Sequence, residues 1–364
     1  MPIKPFMPSS LIENATSVHH GALNYQELES LKIDPKQVLD FSSNINPYGP
    51  PPGVREALSN IDISKYPDRD STVLREALAE LHGIDIDQVT VGNGSAELIW
   101  LIAFSFLEKG DKVGILGPTF GEYERCVHLM GGYVKWITSE VENHFISDVQ
   151  HIHDVIKSFQ PRYFFICNPN NPTGTVLDHE DIRELAYTYS NIGFIIDEAY
   201  LPFVPELTSS ISLKLPNVLI LRSMTKDFSL AGLRLGYVMG PKESVAKIAQ
   251  VLPAWNVNSY AQAAGVASLA QKEFVAKSNA KLKEGKLSLV TALGERGFSI
   301  FPSKTPYFLM DVGDAASFRL QLLQEHCIQV RDCTSFGLPG MVRISTKQKQ
   351  DNQKLLDALL EVKI

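Results

Sequence analysis

Between Val89 and about Gly240, short apolar runs alternate with amphipathic helical stretches, and few architectures accept that pattern. The runs are Val89-Thr90-Val91, Val113–Leu116, Tyr133–Ile137, Tyr163–Cys167, Phe194–Asp197, Val218–Leu221 and Leu235–Met239. Helical periodicity separates several of them, over Gly121–Met130, Val149–Phe159 and Asp178–Tyr189, and an apolar helix starts at Ser95. Runs that are apolar throughout, without polar alternation, are buried on both faces. The pattern therefore predicts an α/β fold with a mostly parallel sheet between helices. The last two runs are linked too tightly for a crossover helix, so one of them is expected to be antiparallel.

The flanks differ. The first 20 or so residues carry Pro2, Pro5 and Pro8 and read as an extended arm. Asn46–Gly53 is a strong breaker, followed by helices over Val54–Leu58 and Thr72–His82. Beyond Pro241 the signal is helical to Leu293. It then mixes strands (Phe298–Phe301, Tyr307–Val312, Ile328–Arg331, Val342–Ser345) with helices near Ala315–His326 and Lys349–Leu360. A length of 364 residues suits two domains. The expected division is an arm and part of a small domain over 1–46, a large domain over 47–255 and a small α+β domain over 256–364.

Composition removes several function classes. Lys and Arg number 34 against 41 Asp and Glu, a formal charge of −7 without basic blocks, which argues against a nucleic-acid partner. No uncharged apolar run is long enough for a membrane span. The N-terminus lacks a secretory signal, and Cys126, Cys167, Cys327 and Cys333 show no metal-site spacing. A cytoplasmic chain with reduced thiols and no metal is expected.

Four local signals carry chemistry. Ser223-Met224-Thr225-Lys226 follows a strand, and Gly232-Leu233-Arg234-Leu235-Gly236-Tyr237 comes soon after. A lysine made reactive needs a dry site or a neighbouring cation, and Arg234 with the Ser223 hydroxyl suits a phosphate. Asn168-Pro169-Asn170-Asn171-Pro172-Thr173-Gly174 is a stiff turn with aimed asparagines. Asp197-Glu198-Ala199-Tyr200 places a carboxylate at the end of a buried strand, where open α/β sheets bind ligands. Gly92-Asn93-Gly94-Ser95-Ala96-Glu97 opens a helix whose free N–H groups suit a phosphate.

The order of these motifs, with starts about 75, 30, 25 and 10 residues apart, resembles the fold-type I pyridoxal-phosphate enzymes of the aminotransferase class I/II superfamily. The resemblance covers essentially the whole chain. It implies a large domain with a mostly parallel seven-stranded sheet, a small α+β domain, and a homodimer. It also implies pyridoxal 5′-phosphate held on a lysine as a Schiff base. Carried over, Lys226 resembles that lysine and proton shuttle, and Asp197 the partner of the pyridine nitrogen. Tyr200 and Asn171 resemble the ligands of the ring oxygen, and Phe120 the stacking aromatic. Ser95, Ala96, Ser223 and Arg234 resemble the phosphate ligands. Tyr66 resembles the tyrosine that reaches the partner subunit's active site, and Arg343 the arginine that grips the α-carboxylate.

A narrower resemblance lies in Asp40-Phe41-Ser42-Ser43-Asn44-Ile45-Asn46-Pro47 and Val330-Arg331-Asp332-Cys333. Both strings are similar to those of L-threonine-O-3-phosphate decarboxylases of cobalamin biosynthesis, which implies substrate-binding roles for Asn44 and, toward a phosphate, Arg331. The HGGN string of those enzymes reads His20-Gly21-Ala22-Leu23-Asn24 here, so His20 is kept over the substrate and the second glycine is lost. Three reactions stay open: decarboxylation by a lyase, transamination of the histidinol-phosphate aminotransferase type, and elimination or cyclisation of a hydroxylated amino acid, cationic or not, in specialised metabolism. They differ in which bond of the substrate Cα stands perpendicular to the cofactor ring.

Overall fold

The computed structural model describes residues 6–13, 18, 20–271 and 273–362. Seven strands build the central sheet: β1 (Val89–Gly92), β2 (Lys112–Gly117), β3 (Tyr133–Thr138), β4 (Tyr163–Cys167), β5 (Gly193–Asp197), β6 (Val218–Ser223) and β7 (Gly236–Met239). Their spatial order is β1-β7-β6-β5-β4-β2-β3. All run parallel except β7, which is antiparallel to both β1 and β6, as the short link predicts. Alternate residues of each strand feed two cores. Phe164, Ile166, Phe194 and Ile196 face one helical layer, while Phe165, Cys167 and Ile195 face the other. Each such apolar side chain removed from water contributes about 1.5–3 kcal/mol, which holds the sheet between its helices.

The helices match their sequence signals closely. Helix α1 spans Thr72–His82, α2 Ser95–Phe106, α3 Glu122–Leu129, α4 Val149–Phe159 and α5 His179–Thr188. Asp148 caps α4 by accepting from the Gln150 and His151 amides. The helical stretch after Pro241 resolves into three: α6 (Lys242–Gln250), α7 (Ser259–Leu269) and the long α8 (Phe274–Glu295).

A second, four-stranded sheet contains β8 (Ser299–Ile300), β9 (Tyr307–Asp311), β10 (Arg331–Asp332) and β11 (Met341–Ser345) in the order β10-β11-β9-β8, all antiparallel. The single strand expected over Ile328–Arg331 is in fact divided. Ile328–Gln329 pairs in parallel with Leu39–Asp40, and only Arg331–Asp332 joins the four-stranded sheet. The N-terminal segment thus packs on the C-terminal sheet. The arm is not uniformly extended, because Ser10–Glu13 forms a helical turn. The rest of that expectation falls partly on 1–5, 14–17 and 19, outside the described residues.

Helix α1 ends on His82, whose Nε2 lies 2.9 Å from the Tyr237 hydroxyl. Burial, with the Arg222 charge nearby, pushes the His82 imidazole down to about 3 from 6.5. Between those values the unfolded chain binds the extra proton and the folded chain does not, so this group makes stability fall as pH drops from about 6.5 toward about 3. Urea midpoints measured near pH 7 and near pH 5 should differ less in His82→Gln than in the parent chain. An equal difference would remove His82 as the cause.

Candidate active site

The functional side chains gather because the strands end together. Gly92, Gly117, Cys167, Asp197 and Ser223 are the last residues of β1, β2, β4, β5 and β6. The ligand edge of a parallel sheet is its carboxyl edge. The reversed strand β7 contributes its first residue there, since Gly236 pairs with both Gly92 and Ser223. Reversal therefore brings Arg234, two residues before Gly236, to the edge that holds Ser95 and Lys226.

A cavity of about 370 Å³ lies over this edge. It is lined by Lys226, Arg234, Ser95, Ala96, Phe120, Asn171 and Tyr200 from the sheet side. From the other side come Arg343, Arg331, Asn44 and His20. Three of the expected residues do not line it. Asp197 lies buried beneath, where its Oδ2 accepts from the Tyr123 hydroxyl at 2.7 Å and its Oδ1 from the Ala199 amide at 3.0 Å. Ser223 is buried and shares a 2.6 Å hydrogen bond with the Thr225 hydroxyl, which lines the cavity in its place. Tyr66 is 78% exposed and stacks on Trp255, with ring centroids 4.5 Å apart.

Arg343 is held at two points. Its guanidinium donates from Nη1 to Asn171 Oδ1 and from Nη2 to the Ser42 carbonyl, and Nε is buried without a protein partner. Arg331 stands directly opposite it across β10 and β11 and donates to Ser335 Oγ at 2.7 Å. Both arginines are buried. The Tyr200 hydroxyl accepts from Asn44 Nδ2 at 3.3 Å, and burial pushes Tyr200 up to about 12.

Lys226 is fixed through its backbone. Asn46 donates its amide to the Lys226 carbonyl at 2.9 Å, and its side chain donates to the Asp227 carbonyl at 2.9 Å and to Ser278 Oγ of α8 at 2.8 Å. Burial first, then the Arg234 and Arg343 charges, lowers the Lys226 amine to about 8, with Asp197 acting in the opposite sense. Burial raises the Asp197 carboxyl, against its hydrogen bonds from Tyr123 and Ala199 and the Lys226 charge.

These residues fit pyridoxal 5′-phosphate. The amine is depressed into the range where it is a nucleophile, and a buried carboxylate lies beneath the cavity. At the opening of α2, a Cβ on Gly94 would come within 2.7 Å of Arg234 Nη2, and one on Gly236 within 2.5 Å of the Ser95 amide. Only glycine at both positions keeps that cradle of N–H groups and guanidinium open for an anion.

Sequence reasoning missed Thr225, Tyr123 and the stretch Gly21–Ala22. Tyr123 stands three residues after Phe120, but its bond to Asp197 joins residues 74 apart in sequence, and no local pattern announces it. Among the described residues no cluster of His, Cys, Asp and Glu is arranged to hold a metal ion, and no helix is long and apolar enough to cross a membrane.

A sheet of this topology with this cavity defines an enzyme of the aminotransferase type, and comparison with known proteins agrees. The chain belongs to the aminotransferase class I and II family, whose model matches residues 36–359. It is 31% identical to the adenosylcobalamin biosynthesis bifunctional protein CobDQ of Leptospira interrogans, over 94% of this chain but 41% of that longer protein. It is also 31% identical to a histidinol-phosphate aminotransferase of Moorella thermoacetica, over 99% of this chain and 91% of that one. Among solved structures, L-threonine-O-3-phosphate decarboxylase from Porphyromonas gingivalis is 27% identical with a TM-score of 0.78, covering 88% of this chain and 98% of that one. Histidinol-phosphate aminotransferase from Sinorhizobium meliloti, solved with pyridoxal 5′-phosphate, shares the fold at a TM-score of 0.87 and 21% identity, covering 99% and 98%.

The depressed amine has a direct consequence. A lysine at its ordinary 10.5 gains neutral amine up to that pH, whereas Lys226 is largely neutral above about 8. The rate at which cofactor-free protein develops pyridoxal-phosphate absorbance should rise with pH and level off above about 8. Arg234→Gln should move that midpoint upward, and Lys226→Ala should abolish the signal. A rate still climbing toward pH 10.5 in the parent chain would show that the amine is not depressed.

Proposed function

We propose that the chain is a pyridoxal-phosphate-dependent carboxy-lyase acting on an amino acid with a second anionic group, and that L-threonine O-3-phosphate is the substrate it fits best. The observation that carries this reading is the pair of buried guanidiniums, Arg331 and Arg343, at opposed register positions on one cavity wall. Both line the cavity, so each is placed to meet an anionic group of a substrate there. A substrate with an α-carboxylate and a phosphate supplies both. L-Histidinol phosphate carries one anionic group, and an amino acid with a cationic side chain meets like charge at Arg331.

The residues divide the work as follows. With the cofactor bound, the Ser95 and Ala96 N–H groups and Arg234 would hold its phosphate, with Ser223 acting through Thr225. Phe120 would pack against the ring, Tyr200 and Asn171 would hydrogen-bond its oxygen, and Asp197 would keep the ring nitrogen protonated. When bound, the cofactor supplies the electron sink for breaking a bond at the substrate Cα. Arg343 holds the α-carboxylate, Arg331 and His20 the distal phosphate, and Asn44 the rim between them. Two fixed ends set the rotation of the substrate and so select the bond that breaks. After carbon dioxide leaves, Lys226 Nζ returns a proton to Cα.

The likeness to the Porphyromonas decarboxylase and to the Leptospira cobalamin protein supports this reading, and a role in cobalamin biosynthesis is part of what we propose. A second reading, amino-group transfer, is favoured by the 31% identity to the Moorella aminotransferase over nearly the whole chain. The working unit is a cytoplasmic homodimer. The exposed Tyr66–Trp255 stack faces the partner subunit, and the cofactor lies between a large domain over 47–255 and a small one over 256–364, completed by 1–46.

Loaded protein given L-threonine O-3-phosphate should release carbon dioxide and leave 1-amino-2-propanol phosphate. Arg331→Ala removes a charge-assisted contact and should raise KM about tenfold or more. Conversion of the cofactor to its amine form, regenerated by a keto acid, with no carbon dioxide released, would replace the lyase reading with the transferase.

A further inference from the structure

Glu122, the first residue of α3, has no part in the chemistry above, yet it is buried two residues after Phe120, behind the cavity lining. Its carboxylate receives three donors. Oε1 accepts from His20 Nε2 at 3.1 Å and lies 3.4 Å from Arg125 Nη1, while Oε2 accepts from the Trp100 indole at 3.0 Å. The His20 hydrogen bond, more than any other influence, holds the Glu122 carboxyl below its usual range despite burial. His20 comes from a segment 102 residues earlier, and its ring sits 5.5 Å from that of Phe120.

The next two residues tie the same segment to the opposite wall. A Cβ on Gly21 would fall 2.6 Å from the Ser42 carbonyl and 3.3 Å from Arg343 Nη2, so only glycine passes there. Ala22 donates its amide to Ser42 Oγ at 3.0 Å. Residues 20–22 therefore form a strap across the cavity, pinned at Glu122 on one side and at Ser42 beside Arg343 on the other.

We propose that Glu122 is a positioning residue: by holding His20 through Nε2 it seats the strap over the cavity and leaves Nδ1 as the ring nitrogen that meets the distal group of the substrate. A carboxylate on one imidazole nitrogen fixes the ring's orientation and assigns the other nitrogen to the ligand. The seating of the strap stands independently of the substrate. Only the identity of the distal group, a phosphate, rests on the function proposed above. Glutamine at 122 is neutral and has one acceptor oxygen against the carboxylate's two, so it weakens the hold on His20 whichever way the amide turns, with little change of volume.

The test is a double-mutant cycle with Glu122→Gln, His20→Ala and the pair, on cofactor-loaded protein whose absorbance shows the site intact. Hydrogen exchange at the Ala22 amide should quicken about tenfold in each single variant and no further in the pair. With L-threonine O-3-phosphate as the probe, KM should rise about tenfold in each single variant, with kcat within about twofold, and again no further in the pair. Effects that multiply in the pair, or exchange unchanged by Glu122→Gln, would overturn the proposal, because Glu122 would then act independently of His20. If the probe proves not to be a substrate, the lyase reading fails and the exchange cycle alone decides the role of Glu122 by the same criteria. Should Glu122→Gln not hold cofactor, Glu122→Asp, which keeps both acceptors one methylene short, takes its place in the cycle.

Discussion

The architecture around the site answers one electrostatic constraint. Lys226, Arg234, Arg331 and Arg343 line a single cavity in a chain whose formal charge is −7. Bringing cations together in a partly desolvated space is unfavourable in the free protein. The molecule meets that cost in two ways. One amine gives up its proton more readily, with Lys226 lowered to about 8. The guanidiniums, which cannot do so, are held by rigid neutral acceptors: the Asn171 amide oxygen and the Ser42 carbonyl for Arg343, the Ser335 hydroxyl for Arg331. For Arg343 those acceptors fix the cation without cancelling it, so its charge stays available to an anionic ligand.

That arrangement explains otherwise arbitrary details of the fold. Strand β7 runs against its neighbours, and the reversal is what carries Arg234 to the carboxyl edge. The N-terminal segment crosses from one sheet to the other. Phe41 pairs with Gln329 and Ser345 on the small sheet, while Asn46 grips the Lys226 and Asp227 carbonyls on the large one. The segment between them, with Ser42 and Asn44, forms part of the cavity wall. One short segment thus links the lysine, through Asn46, with Arg343, through the Ser42 carbonyl.

Much of the fold was legible in the sequence, because both-face burial leaves long apolar runs. The seven runs correspond to seven strands, and helices α1 and α4 run over the same residues as their predicted stretches. The cofactor side of the candidate site was legible for a related reason, since Lys226, Asp197 and Asn171 follow strand ends in motifs of constrained spacing. What remained hidden depends on tertiary pairing. The run over Ile328–Arg331 reads as one strand but is shared between two partners, and the sequence does not encode which. The opposition of Arg331 and Arg343 depends on strand register, and the Tyr123–Asp197 bond and the Glu122–His20 tie join residues 74 and 102 apart in sequence. Ser223, which resembles a phosphate ligand, is buried with its hydroxyl 2.6 Å from that of Thr225, a pairing no spacing rule foresees.

The central claim is that this cavity is built for a substrate carrying two anionic groups at fixed separation. The structure of the loaded enzyme with L-threonine O-3-phosphate bound tests it most directly. The account predicts the α-carboxylate on Arg343, the phosphate on Arg331 beneath the 20–22 strap, and Arg343 Nε newly partnered. A phosphate turned to solvent and away from Arg331, with the strap displaced, would contradict it.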